Sequence, residues 1–150
     1  MNNMDDNFVK FLEELQKKIE NEEEQVYSKV VIREYRNPIN FGDIENPDAV
    51  GMIKGPCGDT MKIYLDIKND VIKKARFWTD GCGASIACGN MLTKMITGKT
   101  IQEASIIKND QLLKALEGLP DEHKHCTILA VDTLQKAIKN YMEIIAGCRP

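Results

Sequence analysis

The chain has 150 residues, 43% hydrophobic and 29% charged, which suits one globular domain with a real core. A net charge of -3 with no basic block argues against nucleic-acid binding. No apolar run nears the roughly 20 residues that span a bilayer, and the acidic start MNNMDDNFVKFLEELQKK lacks the apolar stretch of a secretion signal, so a cytoplasmic protein is expected.

Phe8, Phe11, Leu12, Leu15 and Ile19 recur at helical spacing with Lys and Glu between them, which predicts an amphipathic helix over Asp5 to Asn21. Its regular apolar face is expected to pack on the core. Glu22 to Glu24 reads as a solvated helical face or joint. A second helix is expected over Tyr27 to Tyr35, stopped at Asn37 because that residue precedes a proline. The Asn-, Pro- and Gly-rich NPINFGDIENPDAVG reads as an ordered loop leading to a short strand. Met61, Ile63, Leu65 and Ile67 then alternate with polar residues and Tyr64, the mark of a strand with one buried face. Asn69-Asp70 supplies a turn, and VIKKARFWT returns as a second long strand, with Ala75 and Phe77 inward and Trp78 partly exposed.

The remainder reads as helical. ASIACGNMLTKMIT ends towards Gly98, Thr100 can cap a short helix, and Asn109 or Asp110 can cap QLLKALEG. A last helix is expected from about His125 to Ala146, with Ile128, Val131, Leu134, Ile138, Tyr141 or Met142, and Ile145 as its buried stripe. A sheet followed by helices is an α+β domain with the helices on one sheet face.

The five cysteines are Cys57, Cys82, Cys88, Cys126 and Cys148. In a reducing compartment they point to metal or redox chemistry before disulfides, and an odd number resists complete pairing. Cys57, Cys82 and Cys126 fall at junctions between elements, in GPCGDT, DGCGAS and HKHCTILA, where loops can converge at one end of a sheet. Glycines beside Cys57 and Cys82 leave room for a bulky inorganic group. Helix starts at Cys82 and Cys126 are expected to lower the thiol pKa. Asp59 offers an oxygen ligand and His125 a nitrogen ligand, and three thiolates with one harder donor suit Zn(II) or an iron–sulfur cluster. Asp59 could equally cap its turn, and His125 could brace its helix. His123 reads as a solvated neighbour. Cys88 lies six positions after Cys82 on the helix, about 120° around the axis, and reads as packing. Cys148 reads as an exposed spectator. No CxxC pair is present, and adjacent His125 and Cys126 make a poor protease dyad.

The segments YSKVVIREYRNPINFG, GPCGDTMKIYLDI, ARFWTDGCGASIA and HKHCTILAVDTLQKAI, in this order from Tyr27 to Tyr141, resemble IscU and the N-terminal domain of NifU, the iron–sulfur cluster assembly scaffolds. The resemblance implies an α+β fold with a small antiparallel three-stranded sheet and helices on one face. It implies a scaffold domain over residues 27–150, with residues 1–26 as an added N-terminal helical extension. It implies a non-enzymatic scaffold that receives sulfur from a cysteine desulfurase, binds Fe(II), builds a transient [2Fe-2S] cluster and passes it to apo iron–sulfur proteins. A ferredoxin-type electron donor and a homodimer accord with that role, and Zn(II) can take the same site. The ligand positions carried over are Cys57, Asp59, Cys82, His125 and Cys126, with Asp59 and His125 both open as fourth ligand and Cys126 as persulfide acceptor.

Three departures stand out. The Leu-Pro-Pro-Val-Lys motif read by the dedicated Hsp70 chaperone is here LPDEH, keeping only Leu119 and Pro120, which argues against that partner. The interval from Cys82 to Cys126 leaves no room for the insertion of the zinc-containing SufU branch, and the His-Cys pair also favours the IscU and NifU side. With the given sequence ending at Pro150, the later domains of full-length NifU are not expected. Two rival readings use the same residues. In one, zinc merely orders a sulfur relay through Cys126; in the other, a structural module binds partners through its N-terminal helix.

Overall fold

The computed structural model describes residues 3–147, so Cys148 lies outside the described residues. The elements, in order, are α1 (Asn3–Val26), α2 (Lys29–Arg36), β1 (Ala49–Lys54), β2 (Thr60–Lys68), β3 (Val71–Thr79), α3 (Gly83–Ile96), α4 (Ile101–Ser105), α5 (Asn109–Ala115), a 3-10 turn (Asp121–His123) and α6 (His125–Gly147). The strands form one antiparallel sheet in the order β1-β2-β3. Asn69 and Asp70, both at positive φ (54° and 63°), make the tight β2–β3 turn that matches strand twist.

Alternation decides which sheet face is covered. Met61, Ile63, Leu65, Ala75 and Phe77 are buried on one face. Lys62 and Trp78 are cross-strand partners on the other, with the ammonium 5.4 Å from the indole ring centre. α3 packs on β3, and α6 packs on β1 and β2. Two glycines set how close these helices come. A Cβ on Gly51 would meet the α6 backbone at Ala137 N and Thr133 O, 2.4 Å away, and one on Gly89 would meet the Phe77 ring at 2.3 Å.

That close seat explains where the α6 stripe differs from expectation. Val131, Leu134 and Ile138 are buried as expected and are joined by Ala130, Thr133 and Ala137, whereas Ile128, Met142 and Ile145 are about half exposed. The small residues, not the largest ones, line the approach to Gly51.

α2 is capped by Ser28, whose Oγ accepts from Val31 N and donates to Leu116 O, and it ends at Asn37 as expected. Its Glu34 carboxylate is buried and binds Lys94 Nζ (3.0 and 3.1 Å) and Asn90 Nδ2 (3.1 Å) of α3 and its neighbour Arg33 Nε (3.0 Å). Burial pushes this carboxyl up, but the cations outweigh burial and hold it below the usual carboxylate range. Thr100 caps α4 in a capping box with Glu103, and α5 begins one residue earlier than expected, after Lys108.

α1 corrects an expectation. It runs longer than the apolar pattern suggested, through the acidic run, and its stripe does not pack on the core. Phe8, Phe11, Leu12, Leu15 and Ile19 are 42–61% exposed. The helix is tethered through Glu20 and Glu23 to Arg36, pairs that hold its C-terminal end to α2 and leave the stripe outside. None of the described helices is long and apolar enough to cross a membrane.

Candidate metal centre

One end of the sheet gathers the β1–β2 loop, the β3–α3 junction and the start of α6. Each is fixed by local hydrogen bonds. In the first, Gly58 N donates to Gly55 O (3.0 Å), closing a turn with Pro56 at its second position, and Gly55 N donates to Asp59 O (2.7 Å). Gly58 takes φ 90°, which a side chain would resist. Cys57 therefore stands exposed at a loop tip, while Asp59 is half-buried at its base.

The second junction is stitched to β2. Asp80 Oδ1 accepts from Thr60 N (2.8 Å), Thr79 Oγ1 donates to Thr60 O (2.8 Å), and Gly81 N donates to Thr79 Oγ1 (3.1 Å). These bonds hold Cys82 at the N-cap of α3, exposed and with its side chain free of capping. Its carbonyl accepts the first helical bond, from Ile86 N (3.1 Å). Gly81 admits its neighbours closely: a Cβ there would lie 2.6 Å from Ser85 Oγ and 2.9 Å from Asp59 Oδ2. Asp59 Oδ2 thus lies beside Gly81, the residue before Cys82.

The third piece is the start of α6. The 3-10 turn, with His123 N donating to Pro120 O (2.9 Å), brings His123 near Cys126, and His125 opens α6 beside it. Cys82, His123 and Cys126 present Sγ, a ring nitrogen and Sγ all within 4.8 Å of one another. His123 Nδ1 lies 4.0 Å from Cys82 Sγ, and its ring rests against Tyr27 with centroids 6.0 Å apart. His125 Nε2 lies 3.8 Å from Cys126 Sγ. His125 also lines a groove of about 250 Å³ with Ile53, Pro56 and Ile128, beside the Cys57 loop.

Cys126 differs from its partners. It is 1% exposed, and Ser85 Oγ donates to its sulfur at 3.5 Å. Burial raises its thiol pKa to about 11, against the lowering by Ser85, and the nearby Cys82 and Asp59 add to the rise. The expectation of a lowered value at this helix start does not hold for Cys126, where burial is the largest influence. Burial, then Cys82 and Cys126, likewise raise the Tyr27 phenol.

Of the five expected site residues, Cys82 and Cys126 are brought together. Asp59 lies beside Gly81, next to the former in sequence, His125 lies beside the latter, and Cys57 and Asp59 stand outside the 4.8 Å group. His123 is not a solvated neighbour: it is half-buried and faces Cys82. Its only hint in sequence is its place three residues before Cys126. Cys88 is fully buried in the core, as expected of a packing residue, and burial pushes its thiol well up. A roomier cleft of about 770 Å³, at the start of β1 and the end of α6, is lined by Asp48, Val50 and Asn140 among others, with no thiol or imidazole among the described residues.

The donor set of thiolates, imidazoles and one carboxylate fits Zn(II) or iron. Residues 26–147 match the family model NifU-like N terminal domain. The chain is 45% identical over 117 residues to an iron-sulfur cluster assembly scaffold protein IscU of Archaeoglobus fulgidus, covering 77% of this chain and 76% of that protein. It is 42% identical over 120 residues to the scaffold protein IscU of Escherichia coli (strain K12), covering 77% and 93%. Among solved structures, a NifU-like N-terminal protein from Brucella abortus superposes with TM-score 0.64 at 20% identity, covering 79% of this chain and 95% of that one. A putative SUF-system scaffold from Fervidobacterium islandicum gives TM-score 0.62 at 24% identity, over 76% and 97%, and the two structures share the fold.

Proposed function

The chain belongs to the NifU-like N-terminal domain family, and on that premise we propose that it is a scaffold on which iron–sulfur clusters are assembled for transfer to apo-proteins. One observation carries the reading: two cysteines from separate elements converge with imidazole and carboxylate donors at one end of a rigid sheet. The cluster and its ions are cargo, so the chemistry lies in holding and releasing them.

In this reading Cys57, Cys82 and Cys126 hold a [2Fe-2S] cluster, and Asp59 or His125 completes it. Sulfur arrives as the terminal atom of a cysteine desulfurase persulfide. The Cys126 thiolate attacks that atom, a new S–S bond forms on Cys126, and the desulfurase thiolate leaves. Two electrons, from a ferredoxin-type donor, then cleave the S–S bond, releasing sulfide to iron and restoring the thiolate. Oxygen donors bind iron less tenaciously than thiolates do, so Asp59 favours release over permanent retention. No bond to the recipient protein is made or broken by catalytic groups, and the role is that of a scaffold and not an enzyme.

The test is anaerobic assembly with ferrous iron, cysteine, a reductant and a cysteine desulfurase. An iron–sulfur absorption spectrum should appear, and the cluster should move to an apo-ferredoxin. A protein that takes up zinc and persulfide sulfur but forms no cluster under these conditions would instead be a zinc-ordered sulfur relay.

A further inference from the structure

The bare stripe of α1 is spaced as a seam. Phe8, Leu12, Leu15 and Ile19 follow one another at the alternating four- and three-residue steps of a coiled coil, and all are 42–61% exposed. Phe11 flanks them at 58%. The tie to α2 holds this seam away from its own core: only Tyr27 and Ser28 separate the two helices, and Arg36 grips Glu20 and Glu23. A membrane surface does not suit it either. α1 carries eight acidic residues against three basic ones, whereas a helix that lies on a membrane presents a basic polar face.

The seam matches a second copy of itself. The antiparallel register that sets Leu12 of one copy against Leu15 of the other also sets Phe8 against Ile19, and a two-fold axis repeats both pairs. A shift of one heptad would set Glu22 against Leu12, or Asp5 against Leu15, and lose apolar pairs. Asp5 and Glu22 meet at the ends of the favoured register and confine it to four apolar layers. Parallel pairing would stack Glu20, Glu22, Glu23 and Glu24 on their own copies. Antiparallel pairing carries them to the helix N-terminus of the second copy, where negative charge is favoured. At about 180 Å² for a fully exposed large apolar side chain, closing the seam removes roughly 900 Å² over the two copies. Flanking Val9, Gln16 and Lys18 bring the total to about 1,200 Å², the lower end of specific interfaces.

We propose that α1 is a self-association helix, pairing antiparallel with α1 of a second copy of this chain through Phe8, Leu12, Leu15 and Ile19. The metal end of each copy lies at the C-terminal end of α1, where Tyr27 packs against His123. The axis passes midway between Leu12 and Leu15, so the two metal ends stand roughly 38 Å apart along the helix pair. No cluster bridges the copies in this dimer, and its formation needs no metal. The proposal goes beyond the scaffold reading and does not rest on it.

The test is sedimentation of the metal-free full chain from about 1 to 300 μM. The mass should rise from 17.0 kDa towards twice that value, with a Kd in about the micromolar range. Leu12→Glu and Leu15→Lys change exposed positions outside the core. Each should sediment as a monomer, with affinity lowered at least about 100-fold and thermal unfolding of the core unchanged. Mixed one to one, the two variants should associate again, because the new carboxylate at position 12 faces the new ammonium at position 15. Parallel pairing sets position 12 against position 12 and gives no such rescue. A wild type that is monomeric at every concentration, a dimer undisturbed by both variants, association only when iron and sulfide are bound, or no rescue in the mixture would each overturn the proposal. A wild-type dimer that passes these tests but assembles no cluster would overturn the scaffold reading and leave the α1 pairing standing.

Discussion

The burial of Cys126 makes a prediction about its reactivity. Its thiol pKa of about 11 stands two units above the ordinary 9.0. Two units lower the thiolate fraction at neutral pH about 100-fold. A more basic thiolate is also a better nucleophile, and a Brønsted slope near 0.45 returns about eightfold of that loss. Ionisation alone therefore leaves Cys126 about tenfold slower than an ordinary thiol, and 1% exposure slows it further. The assay is alkylation of metal-free protein by iodoacetamide, followed per cysteine by mass spectrometry from pH 7 to 10.5. Thiolate forms as pH rises, so the Cys126 rate should climb steadily through pH 10 towards its pKa. Exposed Cys57 should react first, and buried Cys88 should lag as an internal control. Ser85→Ala should slow Cys126 at neutral pH, because the donor that favours its thiolate is gone. Reaction of Cys126 as fast as Cys57 at pH 7.5, or a plateau by pH 9, would refute the reasoning.

Glu34→Ala should destabilise the fold by about 2–3 kcal/mol in urea unfolding, since buried Asn90 loses an acceptor while Lys94, 37% exposed, can turn to water; a change below about 1 kcal/mol would count against the clamp. Because the Glu34 carboxyl is held below its ordinary 4.5, the stability it contributes is present above that pH and is lost as pH falls through the folded value, so acid should cost wild type more than Glu34→Gln. Removal of residues 1–26 tests whether residues 27–150 are a self-sufficient domain. The apolar stripe of α1 is exposed and its ties to α2 are surface ion pairs, so the thermal midpoint should move by no more than about 3 °C, and cooperative unfolding lost on truncation would place α1 within the domain.

Much of the fold was legible because its signals are local. The alternation at Met61, Ile63 and Leu65 needs only a strand with one covered face, and Asn69-Asp70 needs only its own backbone preference. Periodicity reports that a helix is amphipathic, but not what it meets. The same logic placed a stripe on α1, which is bare, and on α6, where it holds at Val131, Leu134 and Ile138 but not at Ile128, Met142 or Ile145. On α6 the deciding feature is Gly51, a residue on another element that draws the small side chains inward. The junction cysteines were visible from turn and cap chemistry. The place of His123 was not, because it depends on how a 3-10 turn carries one ring over a cysteine 41 positions earlier in the chain.

The donors at this end of the sheet are unequal, and the inequality bears on a scaffold's task. Cys126 is embedded in the core, tied to α3 through Ser85, so its position is set by packing that ligand exchange cannot easily disturb. Cys82 is fixed in backbone but open at sulfur. Cys57 sits on a turn closed by two backbone hydrogen bonds and can move with little loss of packing. A cargo held by this set has one anchored side and one yielding side. On the proposed scaffold role, such a cargo leaves first at the yielding Cys57 side and last from the buried Cys126.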